Sequence, residues 1–137
     1  MDVTLVLCDA VQESGGKLSM LGGGWTHALT ADVPFNLGLG LIIAVPWDRT
    51  NEQHTVRAVL LTEDGDPVSV NGTAIENGGG FELGRPPGLK RGTTLNAVLA
   101  MQFNGLQLPA GGYVWEVLIN DEQRARAPFW VVARPGS

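Results

Sequence analysis

Apolar residues recur at every second position over long stretches of this chain. From Tyr113 it reads Tyr113, Val114, Trp115, Glu116, Val117, Leu118, Ile119, Asn120, with large apolar side chains at the odd numbers and Glu116 and Asn120 among the even ones. A period of two marks a half-buried strand. The chain returns through Arg124–Val131, where the more apolar set is again odd: Ala125, Ala127, Phe129 and Val131. For both odd sets to share a face, the connecting loop must hold an odd number of residues. A two-residue Asp121-Glu122 loop would set them on opposite sides. An odd loop would pair, for instance, Trp115 with Phe129 and Val117 with Ala127. Pro128 cannot donate to a ladder, so the last strand is expected to have a free side or a bulge there.

The same reading upstream gives the partners this hairpin needs. Leu95, Ala97, Leu99, Met101 and Phe103 alternate with Asn96, Ala100, Gln102 and Asn104. In Gly38–Val45 the residues Leu39, Leu41, Ile43 and Val45 alternate with Gly38, Gly40 and Ala44, and glycines on one face predict a bulky neighbour packed closely against them. Val3–Val11 is apolar on both faces and reads as a central strand, followed by a Gly15-Gly16 turn and a short strand, Lys17–Leu21. Gly22-Gly23-Gly24 predicts a turn or bulge where backbones come close. His54–Glu63 runs into Asp64-Gly65, a hairpin signal, with Pro67–Thr73 returning. Asn77–Gly80 reads as a break, and Phe81–Leu83 as a weak strand. About eight or nine strands and no helix predict an all-β antiparallel sandwich forming one domain over residues 1–137.

Composition agrees with this. The 19 Gly and 8 Pro in 137 residues punctuate short apolar runs. A chain of that length buries about 68–70% of its unfolded surface without disulfides or metals. The lone cysteine, Cys8, lies inside an apolar run and reads as a small buried hydrophobe. With no basic leader and no apolar run long enough to span a bilayer, the expected compartment is the reducing cytoplasm. There Asn71-Gly72-Thr73 is a chance match to a glycosylation acceptor. The net charge of −5, with no cationic cluster beyond Lys90-Arg91, argues against nucleic acid as a partner.

Candidate chemistry is sparse. None of Ser14, Ser19, Ser69 and Ser137 sits in a GxSxG elbow, and only His27 and His54 could act as a base for a serine or for Cys8. The triple glycine completes neither phosphate-binding motif and precedes no helix. Two histidines and one cysteine at scattered spacings give no zinc signature. Asp64-Gly65-Asp66 superficially resembles a calcium loop, but Pro67-Val68-Ser69 breaks the ligand spacing. A calcium site would have to draw carboxylates from several loops, for instance Asp9, Asp48 and Asp64. Trp25, Trp47, Trp115 and Trp130 could form a sugar-stacking platform. No catalytic residue, cofactor or metal is expected, and an interaction or scaffold module is the default. A calcium- or carbohydrate-binding sandwich is the alternative, with an unrecognised hydrolase behind it.

Leu7–Val11, Gly16-Lys17-Leu18 and Leu21-Gly22-Gly23-Gly24-Trp25 resemble the opening of an uncharacterised family of small bacterial proteins. The likeness continues through Val45-Pro46-Trp47, His54, Leu61–Gly65 and Pro109–Tyr113. These motifs are turns and core positions, so the resemblance implies a fold and no activity. Pro-x-Gly-x-Tyr followed by alternation is also similar to immunoglobulin-like and fibronectin-like sandwiches, which makes the expected sandwich immunoglobulin-like.

Alternation also yields a candidate surface. With the odd residues of the final hairpin inward, Val114, Leu118, Arg124, Arg126, Trp130 and Val132 face out, a set more apolar than an outward strand face requires. The expected role is contact with a protein partner, foremost a second copy of the chain in a homo-oligomer. Gly22–Trp25 or Asn77–Phe81 folding over this patch would be the competing arrangement.

Overall fold

A computed structural model describes residues 1–135, and the strands follow the alternation closely. In chain order they are β1 (Asp2–Cys8), β2 (Ala10–Ser14), β3 (Lys17–Leu21), β4 (His27–Ala28), β5 (Phe35–Val45) and β6 (His54–Thr62). After them come β7 (Ser69–Val70), β8 (Thr73–Ala74), β9 (Glu76–Phe81), β10 (Leu95–Leu106), β11 (Gly111–Ile119) and β12 (Glu122–Val131). One sheet has the order β1-β5-β10 and the other β4-β12-β11-β6-β9, while β2-β3 and β7-β8 are separate hairpins. No helix among the described residues is long and apolar enough to cross a membrane.

The two sheets bury their odd-numbered and even-numbered apolar sets against each other. Leu37, Leu39, Leu41, Ile43 and Val45 of β5 are fully buried, as are Trp115 and Val117 of β11. Phe103 of β10 lies 4.7 Å from Trp115 between ring centroids, which ties one sheet to the other. Tyr113 and Trp25 both pack on Phe129, at 5.6 and 5.8 Å. The Tyr113 hydroxyl donates to the carbonyl of Pro109 at 2.8 Å, anchoring the start of β11 to the loop before it.

Gly38 and Gly40 do face a bulky neighbour. The β2-β3 hairpin folds over the outer face of β5, so a Cβ at Gly38 would fall 2.8 Å from Val11 Cγ1 and 2.9 Å from Cys8 Sγ. One at Gly40 would fall 2.8 Å from Met20 Sδ. The Gln102 amide fastens the hairpin, accepting from Val11 N–H at 3.0 Å and donating to Asp9 C=O at 3.1 Å. In the glycine triplet, Gly24 N–H donates to Leu7 C=O at 2.7 Å, the expected close backbone approach.

Several expectations are corrected. Val3–Val11 is not one central strand, because the chain turns at Asp9 and β1 is an edge whose neighbour β5 is the central strand. Its second apolar face exists because the β2-β3 hairpin covers Cys8. Asn77–Gly80 is not a break but most of β9, paired from Glu76↔Val59 to Phe81↔His54. The return after Asp64-Gly65 pairs only at Leu61↔Pro67 before the β7-β8 hairpin, with Asn71-Gly72 at its tip, interrupts it.

The final hairpin reaches the expected parity by a different device. Its loop has two residues, Asn120-Asp121, both at positive φ (51° and 66°), as a type I′ turn demands. A bulge then inserts one extra residue between the pairs Val117↔Ala125 and Leu118↔Gln123. Two loop residues plus one bulged residue restore the odd count, so both odd sets face the core. The pairs are therefore Trp115↔Ala127 and Tyr113↔Phe129, not Trp115 with Phe129, and Val117 meets Ala125 rather than Ala127. Pro128 stands where β12 has no second neighbour. β4 joins only at Trp130 and Val131, and the Trp130 and Val132 amides donate to Thr26 and Ala28 carbonyls at 2.9 and 2.8 Å.

Candidate functional site

The outward face of the larger sheet is the one surface where the expected site residues gather. Register places Trp130, Pro128 and Arg126 of β12 beside Gly112, Val114 and Glu116 of β11. Val114, Glu116 and Leu118 in turn lie beside Leu61, Val59 and Arg57 of β6. Both signs of charge occur within this face, and Arg57 approaches Glu76 of β9 at 3.8 Å across its far edge.

Trp130 is 52% exposed although it is the largest side chain on the face. Its ring lies over bare backbone, since a Cβ at Gly112 would fall 3.0 Å from Trp130 Cζ3. The Glu63 carboxylate reaches the same spot from beyond β6, with an oxygen 2.7 Å from that position. Trp130, Glu63, Arg126, Pro128 and Val114 surround a depression of about 250 Å³. Val132, at 40%, extends the exposed apolar surface past the end of β12. Ala28–Ala31 runs alongside it, with Ala31 N–H donating to Val132 C=O at 3.2 Å, and brings the exposed Leu29 to the same edge.

Five of the six expected residues therefore lie on the face where alternation placed them, and three of these, Arg126, Trp130 and Val132, are exposed. Leu118 is on the face but half-buried. Val114 is on the face yet only 5% exposed, because Leu61 and Pro128 flank it and Trp130 stands over the adjoining depression, so it forms floor rather than contact. Arg124 is a correction. It is the bulged residue, donates to Glu122 at 2.7 Å, and lines a small hollow with Met1 and Arg49 away from Trp130. Gln123 takes the place opposite Leu118 instead. Neither Gly22–Trp25 nor Asn77–Phe81 covers the face, since Trp25 packs on Phe129 and Glu76–Phe81 is the edge strand.

Sequence reasoning missed Glu63, Leu61 and Val59 as members of this face. The alternation of β6 was visible, but nothing local says that β6 lies next to β11.

The other candidate groups are dispersed. His54 is buried, with Nε2 on the Arg49 carbonyl at 2.8 Å and Nδ1 on the Asn120 amide nitrogen at 3.0 Å. This assigns the Nε2–H tautomer and leaves no ring nitrogen to serve as a base. His27 is exposed opposite Trp130, and Cys8 is buried under β2 with its thiol pushed up by burial and by the charge of Asp9. Ser137 lies outside the described residues. Asp9, Asp48 and Asp64 sit beside the glycine triplet, in a 3-10 turn and in the β6 turn, and no group of three His, Cys, Asp or Glu among the described residues could hold a metal. The tryptophans do not share a platform: Trp115 is core, Trp25 packs on Phe129, and Trp47 lies under the Arg85 guanidinium at 4.3 Å.

A family of unknown function (DUF6941) matches residues 3–132, so the chain belongs to that family. No curated protein matches it.

Proposed function

We propose that this member of the DUF6941 family is a non-catalytic interaction module that self-associates through the outward face of its larger sheet. The half-exposed Trp130, laid over Gly112 on a face that also carries Pro128, Leu61 and Val59, is the observation that carries this reading. A solvated strand face has no need of such residues, whereas Trp and Arg are the side chains that most often anchor interfaces. A second copy suits the face because Glu63 and Glu116 share it with Arg126 and Arg57, so the same surface supplies both halves of a charge match. Four strands about 4.8 Å apart, with β11 nine residues long, make a sheet face of about 19 by 30 Å before side-chain relief is added. That approaches the roughly 800 Å² per partner of a standard interface.

The sandwich is read here as immunoglobulin-like, on two supports. The order β1-β5-β10 against β12-β11-β6-β9 is that of a first, second and fifth strand facing the last two, the third and an added edge strand. A tyrosine near the start of the penultimate strand also bonds back to the loop before it, as Tyr113 does. The single buried thiol fits a reducing compartment, the cytoplasm. Trp130→Lys tests the function by light scattering and circular dichroism together. A folded particle of half the mass is the expected result, and a wild-type chain that is already monomeric at about 100 µM, roughly ten times a 10 µM Kd, refutes the reading.

A further inference from the structure

Among the described residues neither Glu63 nor Arg126 makes an ion pair, although both border the Trp130 depression. Arg126 sits directly opposite Glu116 on β11 and still comes within ion-pair distance of no carboxylate. Two unpaired charges of opposite sign therefore flank an exposed indole. An aromatic face next to a carboxylate is the chemistry that receives a guanidinium, by cation–π stacking and a charge-assisted hydrogen bond. The depression, at about 250 Å³, has room for one such group.

Resting on the self-association proposed above, we infer that the guanidinium seated there is Arg126 of a second copy, and that the contact is made twice. Arg126 and Trp130 lie on the same strand four residues apart, about 13 Å along it. Pro128 is midway between them. When two such faces meet about a two-fold axis lying in the interface and crossing β12 at Pro128, the strands run antiparallel across the interface. Each Arg126 then stands over the partner's Trp130. Glu63 is at the same end because its carboxylate and the Trp130 ring converge on Gly112. An isologous interface demands this reciprocity, and a patch carrying both halves of the contact at mirrored offsets satisfies it. Pro128 and the buried Val114 beside it supply a flat apolar centre at the axis, and the charges close the two ends.

The test is a charge-reversal cycle on the full chain, read by sedimentation equilibrium with circular dichroism as the folding control. Glu63→Arg and Arg126→Glu should each weaken the dimer by at least about tenfold, because each sets like charges against one another. The double variant should return the dissociation constant to within a few-fold of wild type, since the pair is restored with its signs exchanged. Arg126→Gln, which keeps reach and removes charge, should weaken association less than Arg126→Glu. A wild-type dimer that Trp130→Lys dissociates, but that both single reversals leave intact, overturns this contact while sparing the broader reading. A double variant weaker than either single one overturns it as well. A monomeric wild type defeats the self-association itself.

Discussion

Replacing Gly38 and Gly40 by alanine in turn should give different outcomes, a loss at the first and none at the second, although both sit on the same face of β5 under the same hairpin. Neither has a φ in the left-handed region, so alanine is allowed at both, and reduced freedom of the unfolded chain favours each variant by about 0.4–1 kcal/mol. The difference lies in what the new methyl group meets. At Gly38 it would fall 2.8 Å from Val11 Cγ1, 2.9 Å from Cys8 Sγ and 3.0 Å from Gln102 Oε1. All three are held, since Val11 and Cys8 are strand residues and Gln102 bonds to Val11 N–H and Asp9 C=O. Overpacking a site that cannot yield costs about 1–3 kcal/mol. The net loss for Gly38→Ala is then about 1–2 kcal/mol, or about 4–8 °C in Tm for a chain of this size. At Gly40 the close atoms are the sulfur of Met20 at 2.8 Å and its methyl at 3.4 Å, the end of a flexible, 37%-exposed side chain. Met20 can swing outward, so Gly40→Ala should be neutral within about 0.5 kcal/mol. Urea unfolding with unchanged m-values measures both. Equal losses at the two sites, or a neutral Gly38→Ala, would refute the claim that the Gln102-fastened hairpin is rigid over Gly38.

Two further outcomes follow from local chemistry, alongside the Trp130→Lys and charge-reversal experiments above. Burial, then Asp9, raises the Cys8 thiol, and burial, then Asp32, raises the Tyr113 phenol. For an acid whose folded pKa lies above its unfolded value, the stabilising contribution is complete below the unfolded pKa and is lost as pH rises through the folded one. The urea midpoint should therefore hold steady to about pH 8.5 and fall above it, with Cys8→Ala flattening the first part of the decline. In the Asn120-Asp121 turn both residues adopt positive φ, so Asp121→Val should lower stability by about 1–2 kcal/mol while Asp121→Gly preserves it. A calorimetric Tm for each variant decides this, and a Val variant as stable as the Gly one would count against the type I′ assignment.

What alternation could specify was the side of the sheet on which each residue lies. Leu37 to Val45, Leu95 to Phe103 and Tyr113 to Ile119 keep an apolar residue at every odd position, and water enforces this, because a one-residue slip would expose that entire apolar set. The requirement that both odd sets of the final hairpin share a face was legible for the same reason. The means was not, because a two-residue turn with a bulge and a three-residue loop satisfy the parity equally well. The choice fell on Arg124, which the bulge moved off the candidate surface. Likewise the glycines of β5 announced a close neighbour without naming Val11 and Met20.

Neighbourhood was decided by the tertiary structure. That β6 lies against β11 brings Glu63 to Trp130, and Leu61 and Val59 beside Val114 and Glu116, across about fifty residues of sequence or more. No local preference encodes such a pairing, because it depends on how two sheets close over a shared core. The glycine run of β9 looked like a break because glycine disfavours strands in isolation, and it is a strand because β6 offers its edge for pairing. Val114 shows the same division within one residue. Its number assigns it to the outer face, but it is buried because Leu61, from a distant strand, and Pro128 flank it there. Outside the bulge at Arg124, sequence period determined which way the hairpin's side chains point, and only the packed sheets determined what they find there.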